Sequence, residues 1–532
     1  MTTTRRDFLT QTSLAAVSLA ATRRGALSES PSTPSQDTSD TYFRDICIAA
    51  LDAAMGGGAS YADVRVVNSR NQFVEARENH VSVVSDGEVV GIGVRALVDG
   101  AWGFTAGRDL AREDARRAAQ SATEQAAANA RGAQRRVALA PVDAYPHGTW
   151  QSPIRRDPFA VPMEEKIELL LAANRAALSV PGVRYVRSSL AFLRNAQTFA
   201  STDGSVLQQT MYRSAPYMKI TAASNDSTDL QSRSSSDIAP MALGYEHVES
   251  ADFPARAAEW AEEAVQKLSA ASVQPGEYDL VLDPTNLVMA IHTTIGQPTE
   301  LDRVLGDEAV YAGTSFITPP QEVIGKLRYG PDSMNVQGDR TQRGALATVG
   351  WDDEGVPADS WPIVKDGILV DFQTTRDQAG QISDLTGVTR SHGCSQAASW
   401  NAVQMQRMPN VSLLPGGDDH LLDDLVAATD RGILARGQGE YSVDQPRSAF
   451  RFGAETFHEI RGGRVVGMLR DAAYQGRTLE FWNSMDMLGG SRSYVLCGIL
   501  SDLKGHPAQP SAISHGCPPA RFRRCAVVNT GR

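Results

Sequence analysis

The chain has 532 residues, 42% of them apolar, which is enough to bury more than one hydrophobic core, so two domains are expected. The net charge is −11, acidic and basic residues are mixed along the chain, and no long basic run occurs, which argues against nucleic acid as a partner. No uninterrupted apolar stretch reaches the roughly 18 residues that a membrane-spanning helix needs, so no membrane span is expected.

Residues 1–40 differ from the rest of the chain. Arg5-Arg6, the following Phe8-Leu9 and a mildly apolar stretch at residues 12–21 are typical of a twin-arginine (Tat) export signal. Residues 22–40 are rich in Ser, Thr and Pro, which predicts a flexible leader. We therefore expect a bacterial protein exported to the periplasm or beyond; the alternative for this segment is a disordered basic start.

Residues 41–250 alternate helical and strand patterns. Helices are predicted at residues 43–55, 110–130 and 164–178, and the first should stop at the three glycines that follow it. Asp99-Gly100 and Asp203-Gly204 are favoured hairpin turns, and short strands are predicted at residues 63–67, 73–77 and 81–84. The pattern favours an N-terminal α+β domain with an antiparallel sheet and packed helices.

Residues 251–532 are richer in strands. After a helix at 251–269 and a break at Pro275-Gly276, the pattern gives one strand, one short helix and then many strands, among them 449–460 and 465–473. Turn signals recur at short intervals. We predict a C-terminal, β-rich antiparallel domain with few helices.

The short helix carries a histidine near its end. Asp283 is a suitable N-cap, Pro284 suits the first helical position, and the helix should continue to Gly296 because Pro298 limits it. His292 lies in the last turns of this helix. By itself, a lone helix histidine is more often a hydrogen-bonded structural residue than a metal ligand.

The stretch Ile-His-Thr-Thr-Ile-Gly-Gln-Pro-Thr-Glu-Leu-Asp-Arg at residues 291–303 resembles the HExxxH zinc helix of the TldD/PmbA metallopeptidases. Further stretches resemble the same family and follow its order along the chain, which is hard to match by chance. They lie at residues 58–65, 91–96, 311–315, 352–355, 369–376, 407–410, 439–444, 459–463 and 514–516.

The resemblance implies a peptidase that admits unfolded peptides into a chamber formed by two subunits. Two helix histidines and a third ligand would hold zinc, and a glutamate would activate the bound water. Residues five apart lie about 140° apart on a regular helix, so such a pair can share a metal only where the helix distorts or ends, as Gly296 would permit. Here Thr293 takes the glutamate position and Gln297 the second histidine position; threonine is no general base, and an amide is a poor zinc ligand.

The third ligand of the family resembles a C-terminal cysteine, and its position here is ambiguous. An ungapped comparison places Asp502 there, an insertion would place Cys497 there, and Cys517 is a weaker choice. His515 and Glu300 are further candidates for an alternative metal site. Each has a simpler interpretation: a buried inert thiol for the cysteines, and a solvated or salt-bridged carboxylate for the acids.

One acidic turn lies outside this helix. Asp352-Asp353-Glu354-Gly355 has the composition of a weak hard-cation site, but a solvated turn is the default expectation.

Two functions remain open. The first is a chamber-forming subunit that binds peptide or unfolded polypeptide, pairs with itself or with a related subunit, and binds zinc weakly or not at all. The alternative is an active zinc peptidase with a non-standard ligand set that includes His292. A small-molecule enzyme on the same scaffold is disfavoured because no nucleotide-phosphate loop or nucleophile elbow occurs.

Overall fold

The computed structural model describes the backbone of residues 36–531 and the side chains of residues 41–531. The predicted Tat signal lies outside the described residues, and the first helix begins at Gln36, within the predicted leader. In the described part of the chain, no helix combines the length and apolar character needed to cross a membrane.

The N-terminal half contains one large sheet covered by helices. Its strands pair in the order β3-β2-β1-β5-β6-β4, with β7 also on β6, and every pair is antiparallel except β4 with β6. The strands are β1 Tyr61–Arg77, β2 His80–Val98, β3 Ala101–Gly107, β4 Gly148–Gln151, β5 Val183–Ser201, β6 Val206–Ala223 and β7 Leu230–Ser234. The helices are α1 Gln36–Gly56, α2 Arg112–Ala130, α3 Met163–Leu178, α4 Glu246–Ala251 and α5 Phe253–Ser269.

The predicted short strands of this half are segments of two long ones. Residues 63–67 and 73–77 both belong to β1, which continues through the polar residues between them because β2 and β5 pair with it on either side. The prediction of separate strands was wrong because pairing on both edges satisfies the backbone of a polar segment, and a single strand's sequence does not show its neighbours. The predicted hairpins at Asp99-Gly100 and Asp203-Gly204 are confirmed.

Helix α5 follows the predicted domain boundary at residue 250, yet it packs on the N-terminal sheet. Its Ala257, Trp260 and Ala264 share a buried cluster with Ala173 of α3 and Met218 of β6. The helix that opens the predicted second domain therefore completes the first core.

The C-terminal half is rich in short strands. They are β8 Ala271–Ser272, β9 Gly276–Leu282, β10 Val336–Asp339, β11 Ser360–Lys365, β12 Ile368–Leu369, β13 Ser395–Gln396, β14 Met405–Gln406, β15 Asn410–Leu413, β16 Arg431–Val443, β17 Ala449–Arg461, β18 Arg464–Arg470, β19 Ala472–Arg477, β20 Met485–Leu488, β21 Val495–Lys504, β22 Gln509–Cys517 and β23 Ala520–Asn529. The helices are α6 Pro284–Ile291, α7 Leu301–Leu305, α8 Pro320–Val323, α9 Arg376–Ala379, α10 Ser383–Thr386, α11 Leu422–Ala427 and α12 Thr478–Asn483, with one π-helical and one 3₁₀ turn at His292–Gly296 and Ser491–Ser493. The α+β class is confirmed.

Five strands of the C-terminal half close into a ring. Strand β16 pairs with both β9 and β17, and β23 and β19 complete the circuit, which removes free edges from these strands. Helix α6 is buried along its length, and its apolar side chains join the core cluster of this half. The predicted strand at 465–473 is two strands, because Asp471 adopts a φ of +57° between β18 and β19.

The acidic turn at residues 352–354 is a buried contact between the two halves, so the expectation of a solvated turn was wrong. Asp353 accepts a hydrogen bond from Arg65 of β1 at 3.1 Å, and Glu354 accepts one from Arg95 of β2 at 3.1 Å. Arg95 also pairs with Asp63 of β1 at 2.7 Å. The acids are buried because cations from the N-terminal sheet pair with two of them, which sequence spacing does not reveal.

Candidate functional site

Helix α6 and the turn after it position the histidine. Asp283 caps the helix, its side chain accepting from the Thr285 N–H at 2.9 Å, and Pro284 occupies the first turn, as predicted. After Ile291 the helix widens into the π turn, closed by the Gln297 N–H donating to the His292 carbonyl at 2.9 Å. The π turn is the predicted distortion.

Gly296 belongs to the π turn for a packing reason. A Cβ at this position would lie 2.5 Å from the sulfur of Met408, so the buried Met408 side chain would have to shift to admit any other residue. The turn places residues 292 and 297 side by side: their Nε2 atoms are 3.4 Å apart. Five-residue spacing therefore does bring these two side chains together.

Two strands from the end of the chain bring further polar groups to the ring of His292. Asp502 of β21 places Oδ1 3.4 Å from Nε2, and His515 of β22 places its Nε2 3.1 Å from Nδ1. All three side chains are buried. The structure thus joins His292, Gln297, Asp502 and His515, four of the residues singled out from the sequence, with His515 on the opposite side of the ring.

The hydrogen-bond directions follow from the outermost partners. The Nδ1–H of His515 donates to the Val411 carbonyl at 2.7 Å, so its Nε2 accepts from the Nδ1–H of His292. Arg447 donates through Nε to the Gln297 carbonyl oxygen at 2.6 Å, which turns the amide nitrogen of Gln297 towards Nε2 of His292. These roles are assigned from the network of partners.

Nε2 of His292 therefore has a protein partner in either protonation state. In the neutral ring it accepts from the Gln297 amide, and in the protonated ring it donates to Asp502. Burial raises the pKa of the Asp502 carboxyl. The hydrogen bond and charge of His292, with the charges of Arg407 and Arg303, outweigh burial and hold that pKa well below its usual value. Burial, followed by the charge of His292, lowers the pKa of His515 to about 3.

Arg407 and Lys504 extend the cluster, and neither was identified from the sequence. Arg407 donates through Nη2 to the carbonyl of Asp502 at 2.6 Å and to its carboxylate at 3.2 Å, while its Nε and Nη1 have no partner within the described chain. Lys504 pairs with Asp302 at 2.8 Å and with Glu300 at 3.1 Å. The interpretation of Glu300 as a salt-bridged carboxylate is therefore confirmed, and Asp302 shares the same lysine.

Three further candidates lie inside the core, and one of them, Cys517, is a buried free thiol whose pKa burial raises well above its usual value. Cys497 lies opposite His515 in the β21–β22 pair, and burial raises the pKa of its thiol to about 12. The thiol stays protonated at neutral pH, and the thiolate is the form that binds metal. Thr293 is fully buried and donates its hydroxyl to the Met289 carbonyl at 2.8 Å, so this hydroxyl is directed back along the helix.

These side chains do not fit a tetrahedral zinc site. Zinc requires about three protein ligands aimed at one point roughly 2 Å away. Asp502 faces Nε2 of His292 whereas His515 faces Nδ1, so the two cannot bind one ion held by His292. The Gln297 amide is engaged by Arg447, which adds a positive charge beside Nε2. Across residues 36–531, no group of three or more His, Cys, Asp or Glu side chains is placed to hold a metal.

Of the residues that sequence reasoning missed, Arg447 has the greatest effect on this geometry. It orients Gln297 and also donates to the Ala312 carbonyl at 2.7 Å. The one signal available was its position three residues after the family-like stretch at residues 439–444. Its φ of +67° lies in a region that non-glycine residues seldom adopt.

Comparisons with known proteins bear on most of the chain. Residues 62–129 match domain 1, residues 156–271 the central domain and residues 275–529 the C-terminal domain of the PmbA/TldA metallopeptidases. The chain belongs to the TldD/PmbA family. These segments leave out the first sixty-one residues and the linkers between the matched domains.

Relatives in this family have low sequence identity to this chain, but the similarity covers most of the length of both chains. A metalloprotease of Methanocaldococcus jannaschii is 24% identical over 80% of this chain and 89% of its own. A metalloprotease TldD homolog of Buchnera aphidicola is 25% identical over 77% of this chain and 81% of its own. TldE from Thermococcus kodakarensis has a similar fold, with a TM-score of 0.65 at 16% identity over 91% of this chain and 100% of that chain. A Thermotoga maritima protein has a TM-score of 0.71 at 15% identity, covering 91% and 100%.

Proposed function

We propose that this chain is a TldD/PmbA-family subunit that helps to form a peptide-binding chamber and does not hydrolyse peptides. The observation that carries the proposal is the partnering of His292. Gln297 and Asp502 engage its Nε2, His515 engages its Nδ1, and Arg447 holds Gln297 in place. A histidine held in this way is a structural link between α6, β21 and β22.

The residue beside His292 supports the same proposal. Peptide hydrolysis by the family's mechanism needs a carboxylate to take a proton from water, and Thr293 offers a hydroxyl that stays protonated near neutral pH. That hydroxyl already donates to a main-chain carbonyl. In place of HExxxH the chain has His-Thr-Thr-Ile-Gly-Gln, in which the fold of the helix is retained and the acid–base chemistry is not.

One observation favours the alternative, an active zinc peptidase with a non-standard ligand set. Asp502 carries an ionised carboxylate 3.4 Å from Nε2 of His292, and these two groups alone are acceptable zinc ligands. A third ligand would have to come from a rearranged Gln297 or from a bound peptide. The two functions differ in metal content, which makes them separable.

The deciding experiment measures zinc and cleavage together. The full chain, produced in zinc-supplemented medium, is analysed for metal and incubated at high concentration with an unfolded, unstructured polypeptide. We expect far less than one zinc per chain and no cleavage, with His292→Ala indistinguishable in both measurements. Stoichiometric zinc that disappears in His292→Ala would establish the alternative, and His420→Ala, at a partly exposed position, serves as the matched control.

The partner is the second element of the proposal. We propose a dimer, formed either with a second copy or with a related subunit that keeps HExxxH. Light scattering of the purified chain, alone and after co-expression with such a subunit, distinguishes the two. A chain that stays monomeric in both conditions would contradict a chamber, which requires two subunits.

We also propose that residues 1–40 direct export through the Tat pathway, on the strength of Arg5-Arg6 and the apolar stretch that follows. Fusing residues 1–40 to a reporter tests this directly. The reporter should leave the cytoplasm, and Arg5→Lys with Arg6→Lys should retain it there. Export that is unaffected by the double substitution would rule out the Tat route.

A further inference from the structure

A second buried polar region lies between the two halves of the molecule. It is a narrow cleft with a cavity volume of about 20 Å³, and none of the residues that line it belongs to the His292 cluster. The N-terminal sheet contributes Arg65 and Gln197 to its lining. The C-terminal half contributes Arg340, Trp351 and Ser395.

Arg340 is the unusual residue in this lining. Its side chain is 1% exposed, yet its guanidinium makes no hydrogen bond or ion pair with any residue that the structure describes, and Nε and Nη1 are fully buried. Its main chain is anchored, with the N–H donating to the Asp359 carbonyl at 2.9 Å. Burying a guanidinium without a hydrogen-bond partner is unfavourable, so a ligand that supplies the missing acceptor would be stabilised there.

Three more donors around the cleft are buried without a partner in the described chain. They are the hydroxyl of Ser395, the indole Nε1 of Trp351 and Nε of Arg65. Unsatisfied buried polar atoms are rare in native proteins, and here four residues of one cleft carry them. All four can donate hydrogen bonds, so the cleft lacks acceptors.

The carboxylates beside the cleft are already committed. Asp352 accepts from the N–H groups of Glu354 and Val356 through Oδ1 and from Ser395 N–H through Oδ2. Asp353 accepts from Arg65, from Gln197 and from the Ala397 N–H. Neither lies within ion-pair distance of Arg340. Burial raises the pKa of Asp352 to about 6 against the lowering effect of the Arg340 charge, so Asp352 offsets that charge only from a distance.

A second buried cation, Arg213, increases the excess of hydrogen-bond donors and positive charge near the cleft. Burial, and then the charge of Arg340, lower the pKa of Arg213 to about 10. The closest partner of the Arg213 guanidinium is the Leu346 carbonyl at 3.4 Å, and its Nε is unpartnered. By contrast, Arg65, Arg95 and Arg376 each have a carboxylate within 3.1 Å. Among the described residues, the interface therefore contains two guanidinium groups with no carboxylate within ion-pair distance.

We propose that the cleft is a binding site for a carboxylate ligand, held by the Arg340 guanidinium and the Ser395 hydroxyl. A planar guanidinium matches the two oxygens of a carboxylate. A singly charged carboxylate is preferred to a doubly charged phosphate because Asp352 and Asp353 line the same cleft. The ligand is either a small free carboxylate or the terminal carboxylate of a peptide.

Thermal unfolding of the full chain tests the site. Sodium acetate is titrated against sodium chloride at equal ionic strength and neutral pH, because a ligand that binds the native state raises Tm in a saturable manner. We expect an acetate-specific rise for the wild type that is absent in Arg340→Met. The exposed substitution Arg464→Met is the matched control and should respond like the wild type.

Ser395→Ala is the second variant, and it keeps the test decisive if Arg340→Met does not fold. Loss of one hydrogen bond should raise the half-saturating acetate concentration about fivefold, equivalent to about 1 kcal/mol. Equal acetate responses in wild type, Arg340→Met and Ser395→Ala would overturn the proposal. So would no acetate response in the wild type, since ordinary solvent would then fill the cleft.

Further additions identify the ligand. A tripeptide with a free C-terminus that acts at lower concentration than acetate, while its C-terminal amide does not act, would assign the site to peptide termini. A rise in Tm with acetate but none with the tripeptide would assign the site to small free carboxylates. Either result supports the proposal. An Arg340-dependent response to inorganic phosphate at lower concentrations than acetate would overturn the carboxylate assignment.

Discussion

The His292 cluster and the Arg340 cleft are both buried and polar, but they differ in how their hydrogen bonds are completed. Around His292, both ring nitrogens, the Gln297 amide and the Asp502 carboxylate find partners in the chain. Around Arg340, the guanidinium, the Ser395 hydroxyl and the Trp351 indole N–H have no partner among the residues that the structure describes. The first region lies where the family resemblance implies chemistry, and the second lies at a contact between the two halves.

The difference shows that burial of polar side chains is not by itself a sign of function. A buried group whose partners belong to the same chain contributes to stability, whereas a buried group without partners has a cost that only a ligand or solvent can offset. The two regions should therefore respond in opposite directions when a polar side chain is removed. Four predictions follow that difference, beginning with the largest effect.

Asp502→Ala should lower the free energy of unfolding by roughly 3–5 kcal/mol, because it leaves Arg407 buried without its carboxylate and removes a partner of His292. Urea unfolding of the full chain measures the change. The exposed Asp418→Ala should have almost no effect. A loss below about 1 kcal/mol for Asp502→Ala would mean that the cluster is not a closed structural unit.

Gln297→Leu should destabilise the chain by about 2 kcal/mol, since it keeps the side-chain volume but leaves Arg447 Nε and one state of His292 Nε2 without partners. Urea unfolding again provides the measurement, with the exposed Gln266→Leu as control. An unchanged free energy of unfolding would indicate that the 3.4 Å contact with His292 does not stabilise the fold and that Arg447 finds another acceptor.

Arg340→Met should change the free energy of unfolding in the opposite direction to the two preceding substitutions. In chloride buffer without added carboxylate, the variant should equal the wild type or exceed its free energy of unfolding by about 1 kcal/mol, because an unpaired buried cation is replaced by an apolar side chain of similar length. A loss of more than about 2 kcal/mol without ligand would place Arg340 with the structural cations and would remove the contrast between the two regions.

His392 provides the smallest test, because it shows how this chain treats a buried cation that it does pair. The imidazole lies between Asp371 at 2.9 Å and Asp359 at 3.1 Å and stacks on Trp361. Burial lowers the pKa of His392, but the hydrogen bonds and charges of the two aspartates outweigh it and raise that pKa above its usual value.

A raised folded-state pKa means that the native protein holds this proton more tightly than the unfolded chain does. The stabilisation is fully present below the unfolded value of about 6.5 and is lost as the pH rises through the folded value. His392→Gln should therefore flatten the decline in unfolding free energy above about pH 6.5, measured by urea unfolding at a series of pH values. An unchanged pH profile would show that His392 is neutral in the native state.

Much of the fold could be predicted from local sequence. Gly56-Gly57-Gly58 ends the first helix, Asp99-Gly100 forms a hairpin, and Asp283-Pro284 begins α6, because capping and turn chemistry act over a few residues. The long strands were divided wrongly at their polar segments, since the neighbours that pair with those segments come from distant parts of the chain.

The candidate site was predictable to the extent that it lies on one helix. His292, Thr293 and Gln297 were found from spacing and resemblance, and Asp502 from an ungapped comparison with the family's C-terminal motif. Arg407, Arg447 and Arg340 were not found. An arginine's role depends on which acceptors lie within reach. The Gln297 acceptor of Arg447 is 150 residues away in the sequence, and the Arg340 guanidinium has no acceptor in the described part of the chain.

The sequence by itself determined the family, the α+β class and the identity of the side chains on the His292 helix, because motif order and short-range spacing are properties of the chain. Only the tertiary structure decided that His292 is partnered on both nitrogens and that Arg340 is partnered on none. Whether a buried donor finds an acceptor depends on which groups lie next to it in space, and folding brings those groups together from both halves of the molecule.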